Sequence, residues 1–338
     1  MAKKILITGG LGYIGVNLAN YLTEHPGALS TDGNQDSIER IDLADIVADT
    51  PTRASLRVKH RVIEGDLASQ KVYEQIEAED YDIIFHLGGV GSAACEKDPS
   101  LADRNVQATK NVLEAAAQNY DGRKRKVIFA SSLLAVEGID EVLDDTPSNA
   151  QKPYGRSKKE SENLGMVYAD RVDFRGLRLS TMIANRAAST ASTAFYFGLP
   201  NLLLRGKDCN IPMPEDFKHP LIWVDDTILG LVNLHNLPEA QLVDESGNPY
   251  RTFNVPSHTV TSKEWVEMVQ SYQDRCSWGI GSVTWKRDDL AIKILETAGH
   301  YMRADLAVKR GIFPATTTTP QQMVEKIYQT VLQEKQAS

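Results

Sequence analysis

A doubly wound α/β fold around a mainly parallel sheet is the class this chain predicts, on three observations. Short apolar runs alternate with helical segments through the first half of the sequence. The first such run, Lys3–Thr8, opens almost at the N-terminus. A glycine-rich turn, Thr8-Gly9-Gly10-Leu11-Gly12-Tyr13-Ile14-Gly15, then joins it to a helical stretch over 16–22 with Leu18, Tyr21 and Leu22 on its apolar face.

The remaining elements follow in order. Residues 24–35 are polar, contain Gly and Pro, and read as a mobile surface insertion. Ile38–Asp45 is the second strand, 61–66 the third, and 81–87 the fourth, which runs into Gly88-Gly89. Residues 103–119 place Val106, Val112, Leu113 and Ala116 on one face and predict a helix. A fifth strand over 126–131, a helix over 155–170 and a sixth strand over 174–179 complete the alternation. Beyond residue 182 the rhythm weakens, and Pro200, Pro212, Pro214, Pro220 and Pro256 point to a smaller, loop-rich lobe. The expected division is therefore a sheet domain over 1–182 and a mostly substrate-binding lobe over 183–338, with some of its segments returning to the first domain.

Composition narrows the function classes. With 338 residues, 24% charged and 42% hydrophobic, the chain is an ordinary globular protein able to bury a large core. A net charge of −8 gives no basic footprint for nucleic acid or anionic membrane. No apolar run is long enough to span a bilayer, and Met-Ala-Lys-Lys leads straight into the first strand, so a cytoplasmic enzyme is expected. Cys95, Cys209 and Cys276 are far apart and odd in number, which predicts reduced thiols and no metal site.

The glycine turn carries the first chemistry. A strand that turns abruptly into a helix aims free backbone N–H groups, and the positive end of the helix dipole, at whatever lies in the turn. Glycines at 9, 12 and 15 let the chain turn sharply, admit a pyrophosphate and pack the helix on the sheet. The spacing is G-x-x-G-x-x-G, and the strand before it and helix after it make it a Rossmann-type dinucleotide signal.

Tyr154 and Lys158 carry the second. Four apart on a helix, they share one face. A free phenol with a pKa near ~10 is a poor base at neutral pH. A neighbouring ammonium, together with an oxidised nicotinamide, would favour phenolate, so that Tyr154 could exchange a proton with a substrate hydroxyl. Phe129-Ala130-Ser131-Ser132 ends a strand and brings hydroxyls to the same sheet edge. Ser132 can donate to the substrate oxygen, while Ser131 is equally suited to satisfying strand-end backbone.

Taken together, Gly9/Gly12/Gly15, Gly65-Asp66-Leu67, His86-Leu87-Gly88-Gly89, Asn105-Val106, Ser131-Ser132 and Tyr154/Lys158 resemble the extended short-chain dehydrogenase/reductase family, which includes nucleotide-sugar epimerases and dehydratases. The likeness covers residues 3–185, with an echo at Trp223-Val224-Asp225-Asp226. It implies NAD held by Gly9, Gly12 and Gly15 with Tyr13 and Ile14, by Asp66 and Leu67 at the adenine, and by Leu87 and Gly88 near the nicotinamide ribose. Asn105 would sit beneath the site, or else cap a helix. Ser132, Tyr154 and Lys158 would be the catalytic group, with Lys158 also bonding the ribose. An acidic residue ending strand two, Asp45 or alternatively Asp42, would accept from the adenosine 2′-hydroxyl and select NAD over NADP.

Within the family, Leu177-Arg178-Leu179-Ser180-Thr181 and the Ala/Ser-rich run to Phe195 resemble the D-erythronate dehydrogenase branch, as do Ser131-Ser132-Leu133 and Asp144-Asp145-Thr146-Pro147. The chain departs from it at the extra residue in 133–136, at Glu137 and at Asn185-Arg186. The expected reaction is NAD-dependent oxidation of a secondary alcohol in a small polyhydroxy acid or sugar derivative. Ser132 and Thr181 would contact substrate, and Arg186 would clamp its carboxylate. His219 and Trp223 are weaker pocket residues, with core packing expected for Trp223. The alternatives are a nucleotide-sugar epimerase or dehydratase with tightly held NAD, and a redox sensor that binds NAD without turnover. The resemblance also implies a homodimer through the helices at 103–119 and 155–170.

Overall fold

Strand β1 (Lys3–Thr8) has Ile5, Leu6 and Ile7 fully buried, because a run apolar on both faces is stable only between two covering layers. In the computed structural model, which describes residues 2–31, 33–47, 55–57, 60–118, 122–185 and 194–337, those layers are helices on either side of one parallel sheet.

The chain continues through α1 (Tyr13–Glu24), β2 (Ile38–Asp45), β3 (Arg61–Glu64), α2 (Gln70–Glu77), β4 (Ile83–His86), α3 (Ser92–Lys97), α4 (Ser100–Gln118), β5 (Arg125–Ser132), α5 (Pro153–Val167) and β6 (Val172–Leu179). After β7 (Thr181–Ile183), α6 (Ala194–Leu203), β8 (Lys218–Trp223) and α7 (Val224–Asn236), a short strand β9 (Thr252–Asn254) rejoins the large sheet beside β6. Strand β10 (His258–Thr261), α8 (Ser262–Gln270), α9 (Asp289–Leu295), α10 (Asp305–Lys309) and α11 (Pro320–Gln336) follow.

The seven strands run in the order β9-β6-β5-β4-β1-β2-β3, all parallel. The chain leaves β1 toward β2 on one side and later returns to β4 on the other. That reversal opens a crevice at the carboxyl ends of β1 and β4, the place where such sheets bind ligands. Alternation along β1 sorts the two cores. Ile5 and Ile7 face Leu18 and Leu22 of α1 and Ile228 of α7, whereas Leu6 faces Ile76 of α2 and Val112 of α4. The first of these cores continues without a break into Trp265 of α8 and Ile327 of α11. A second sheet, ordered β7-β8-β10, sits beside the carboxyl edge of the first.

Several boundaries differ from the sequence reading for local reasons. Helix α4 starts at Ser100 because the Asp98 carboxylate accepts from both the Ser100 backbone N–H (3.0 Å) and its hydroxyl (2.7 Å). Helix α5 starts at Pro153, whose fixed φ and missing N–H suit a first turn. The stretch 24–35, expected as a mobile insertion, is tied down. It forms a hairpin pairing Ser30–Thr31 with Asn34–Gln35, buries Leu29 completely, and bonds to Asn236 of α7 through Ser30 N–H (2.7 Å) and Ala28 O (2.9 Å). Strand β9 escaped the reading because three residues are too short for an alternation to register.

Candidate active site

The glycine turn is built so tightly that side chains are excluded. Gly9 has a φ of +63°, and a Cβ there would come within 2.7 Å of the Gly88 backbone. A Cβ on Gly15 would lie 2.4 Å from the Gly9 carbonyl oxygen, and one on Gly12 3.0 Å from it. Helix α1 follows with Gly12 as N-cap and no side-chain cap, so its first N–H groups face the crevice. The cradle fits a pyrophosphate.

Asp45 stands at the rim of this cradle. Its Oδ2 accepts from Leu11 N–H (2.9 Å) and its Oδ1 from Ile46 N–H (2.8 Å), leaving lone pairs on both oxygens for a ribose hydroxyl. Asp42, the alternative, is out of play. It is fully buried farther back on β2, where Tyr81 Oη–H donates to it (2.7 Å) and Arg40 Nε lies 3.0 Å away. Asp66 accepts from Ala68 N–H (3.0 Å) and pairs with Arg104, and Leu67 packs against the backbone of Gly88.

The end of β4 is held from below by a buried hydroxyl chain. Thr8 Oγ1 accepts from Gly88 N–H (3.2 Å) and shares a hydrogen bond with His86 Nδ1 (2.8 Å), whose Nε2 meets Thr109 Oγ1 (3.1 Å). Burial first, and the Lys158 charge second, hold His86 down at about 3, so it is a neutral strut. Asn105 is a correction to the capping reading, since α4 begins five residues before it. Its Oδ1 accepts from Val90 N–H (2.8 Å) and its Nδ2 donates to Val90 O (3.0 Å), which clamps the loop after β4.

Tyr154 and Lys158 share the inner face of α5 and meet the end of β5. The Tyr154 phenol lines the same cavity as Ser132, whose hydroxyl favours its ionised form, and Lys158 Nζ donates to Ala130 O (2.8 Å). Their electrostatics are set first by burial. The expected lowering of the phenol needs the nicotinamide charge as well as the ammonium; from the protein alone, burial drives it up to about 12, Cys95 adds to this, and Ser132 only partly offsets it. Burial likewise pulls Lys158 down to about 8, against the opposing influence of Cys95 and Glu162. The lysine sits 5.6 Å from the centroid of the Tyr154 ring, and burial of the whole cluster outweighs its pull.

These groups line one cavity of about 370 Å³ running from Gly9, Gly12, Tyr13, Ile14 and Gly15 past Leu87 to Ser132, Tyr154 and Lys158. Its far wall is Thr181 and His219, whose Oγ1 and Nε2 share a 2.5 Å hydrogen bond, with Met182, Phe197 and Leu295 as apolar neighbours. His219 is stacked on Tyr196 with ring centroids 4.6 Å apart. Burial, reinforced by His300, keeps it neutral at about 3. Trp223 is 2% exposed and belongs to the core. Arg186 and the Ala/Ser-rich run 187–193 lie outside the described residues. Ser131 lines the cavity, yet its hydroxyl donates to Glu162 (2.5 Å) and not to strand-end backbone. Cys95 is buried, and burial raises its thiol to about 11. Among the described residues no group of His, Cys, Asp and Glu could hold a metal.

Sequence reasoning missed Thr8, Leu295 and the wall built by Phe197. Thr8 was visible as the hydroxyl ending β1, but Leu295 comes from a helix distant in the chain, with no local signal. The cavity as a whole can bind a dinucleotide along the turn and present one substrate oxygen to a phenol and a serine.

Known proteins resemble this chain in sequence and in shape. The sequence model of the NAD dependent epimerase/dehydratase family matches residues 5–255. D-erythronate dehydrogenase of Cupriavidus necator is 30% identical over 314 residues, 91% of this chain and 93% of that protein. Mitochondrial L-threonine 3-dehydrogenase of Bos taurus is 27% identical over 278 residues, 79% of this chain and 68% of its own length. The X-ray structure of L-threonine dehydrogenase from Clostridium difficile shares the fold at a TM-score of 0.81 and 21% identity, over 98% of each chain.

Proposed function

This chain belongs to the NAD-dependent epimerase/dehydratase family, and from that premise we propose that it oxidises a secondary alcohol of a small polyhydroxy acid or related sugar derivative. The convergence of Tyr154, Ser132 and Lys158 on the cavity that begins at the glycine turn carries the reading. The similarity to D-erythronate dehydrogenase supports the substrate class.

Gly9, Gly12, Tyr13, Ile14 and Gly15 would hold the pyrophosphate of NAD, Asp45 the adenosine ribose, and Asp66 with Leu67 the adenine. Leu87, Gly88 and Lys158 would hold the second ribose, above the floor that Asn105 secures. Bound NAD supplies the hydride acceptor and a positive charge that favours ionisation of the nearby phenol. Ser132 donates a hydrogen bond to the substrate oxygen and fixes it beside Tyr154. Tyr154 takes the hydroxyl proton as the carbonyl forms. Lys158 stays an ammonium below its lowered pKa of about 8 and stabilises the phenolate. Thr181, oriented by His219, offers a hydroxyl to the polyol chain, and Arg186 would meet its carboxylate.

We further assign it a homodimer formed through α4 and α5, where Val167 is 71% exposed. A single species of monomer mass in sedimentation would overturn this. We place it in the cytoplasm, acting on small molecules and not on nucleic acid. No described helix is long and apolar enough to cross a membrane. Recovery of the native protein from another compartment, or retention on DNA, would remove that assignment.

The activity is tested with purified protein, NAD and a panel of aldonic acids, amino alcohols and nucleotide sugars, read at about 340 nm. Net NADH from a small hydroxy acid is expected. Interconversion of a nucleotide sugar without net NADH would refute the reading.

A further inference from the structure

Three successive residues at the end of β5 meet one face of α5 at positions spaced by one helical turn, two of them through hydrogen bonds. Ser132 lines the same cavity as Tyr154, Ala130 O accepts from Lys158 (2.8 Å), and Ser131 Oγ–H donates to Glu162 Oε1 (2.5 Å). The last of these links goes deeper. Arg178 on β6 grips Glu162 with two donors, Nε to Oε1 (3.0 Å) and Nη2 to Oε2 (2.9 Å), and its Nη1 donates to Thr146 O (2.7 Å). Both side chains are nearly inaccessible, at 6% and 7% exposure. A buried ion pair is costly to desolvate and is weak evidence for stability by itself. Its position directly behind the serine–tyrosine–lysine group calls for another reason.

We propose that Glu162 and Arg178 form a positioning pair for the reaction: together they lock the carboxyl end of β5 to α5, with Glu162 holding the proton on Lys158 and Arg178 moderating that hold. The inference rests on the reading of Tyr154 and Lys158 as the proton-transfer pair. The titratable groups facing the Lys158 ammonium are Cys95 on α3, His86 on β4, and Tyr154 and Glu162 on its own helix. His86 is neutral, and the thiol and phenol are protonated near neutral pH, so Glu162 is the standing anion among them. Neutralising Glu162 removes that anion and also leaves the Arg178 cation uncompensated, and both changes favour loss of the Lys158 proton. Neutralising Arg178 frees the carboxylate charge, which holds the proton more strongly.

The test is the alkaline limb of kcat/KM against pH in the full-length enzyme. Wild type is expected to lose activity as Lys158 deprotonates. Glu162→Gln should move that limb about one pH unit lower and Arg178→Gln should move it higher, with the double variant close to wild type. A merely structural pair would lower kcat in both single variants without moving the limb in opposite directions, and that result overturns the proposal. If a neutral single variant does not fold, Glu162→Asp and Arg178→Lys keep the charges while shifting the geometry. They should lower kcat about tenfold with the limb in place, and a displaced limb there also overturns the proposal. Activity retained by Tyr154→Phe would instead defeat the underlying reading, which separates the two failures.

Discussion

The two ends of the cavity are made of different material. The cofactor end is backbone: Gly9, Gly12 and Gly15 exclude side chains by contacts of 2.4–3.0 Å, and the loop after β4 is pinned beside them by Thr8 and Asn105. The substrate end is side chain, with Thr181, His219, Met182, Phe197 and Leu295 drawn from four separate elements. The difference teaches that binding a common cofactor can be written in local backbone geometry, whereas substrate choice depends on which distant side chains the fold brings together. Tyr154 stands where the two ends meet.

That contrast can be broken by substitution, and the largest effect is expected at the junction. Tyr154→Phe removes the proton acceptor but little volume, so kcat should fall roughly thousandfold while NAD affinity, read by fluorescence titration, stays within about twofold. Comparable turnover in the two proteins would remove Tyr154 from the chemistry. At the backbone end, Gly15→Ala forces a methyl against the Gly9 carbonyl and should weaken NAD binding about a hundredfold. Unchanged affinity in the same titration would show that the turn does not hold the pyrophosphate. At the side-chain end, Thr181→Val keeps the shape but deletes the hydroxyl that His219 orients. One lost hydrogen bond of about 1.4 kcal/mol corresponds to a tenfold rise in KM for the polyol, with NAD affinity untouched. A change in NAD affinity instead would place Thr181 on the wrong side of the divide.

The same contrast explains what the sequence disclosed. The strands of the large sheet were legible through β6 because short runs rich in apolar residues, such as Ile5-Leu6-Ile7 and Ile83-Ile84-Phe85, alternate with helical segments, and the turn was legible because glycine is required at fixed offsets. The lysine–tyrosine spacing was visible on a helix for the same local reason. Strand β9 is three residues long and was not legible. Asp42 and Asp45 could not be separated by pattern, since both lie in the carboxyl half of the same strand. Only the three-dimensional partners Arg40 and Tyr81 send Asp42 inward, while Leu11 N–H brings Asp45 to the turn. The rise that burial gives Tyr154 was not legible, because burial is a property of the whole packed cluster and not of the two residues that announce it.

The central claim is that a carbinol hydrogen leaves for NAD while Tyr154 accepts the hydroxyl proton. It is tested most directly with an aldonic acid deuterated at the reacting carbon, followed by mass analysis of the recovered dinucleotide. One deuterium in NADH per ketone formed by the wild type, and none above background with Tyr154→Phe, is the predicted result. Deuterium retained on the sugar carbon, or transferred equally well by the phenylalanine variant, would contradict it.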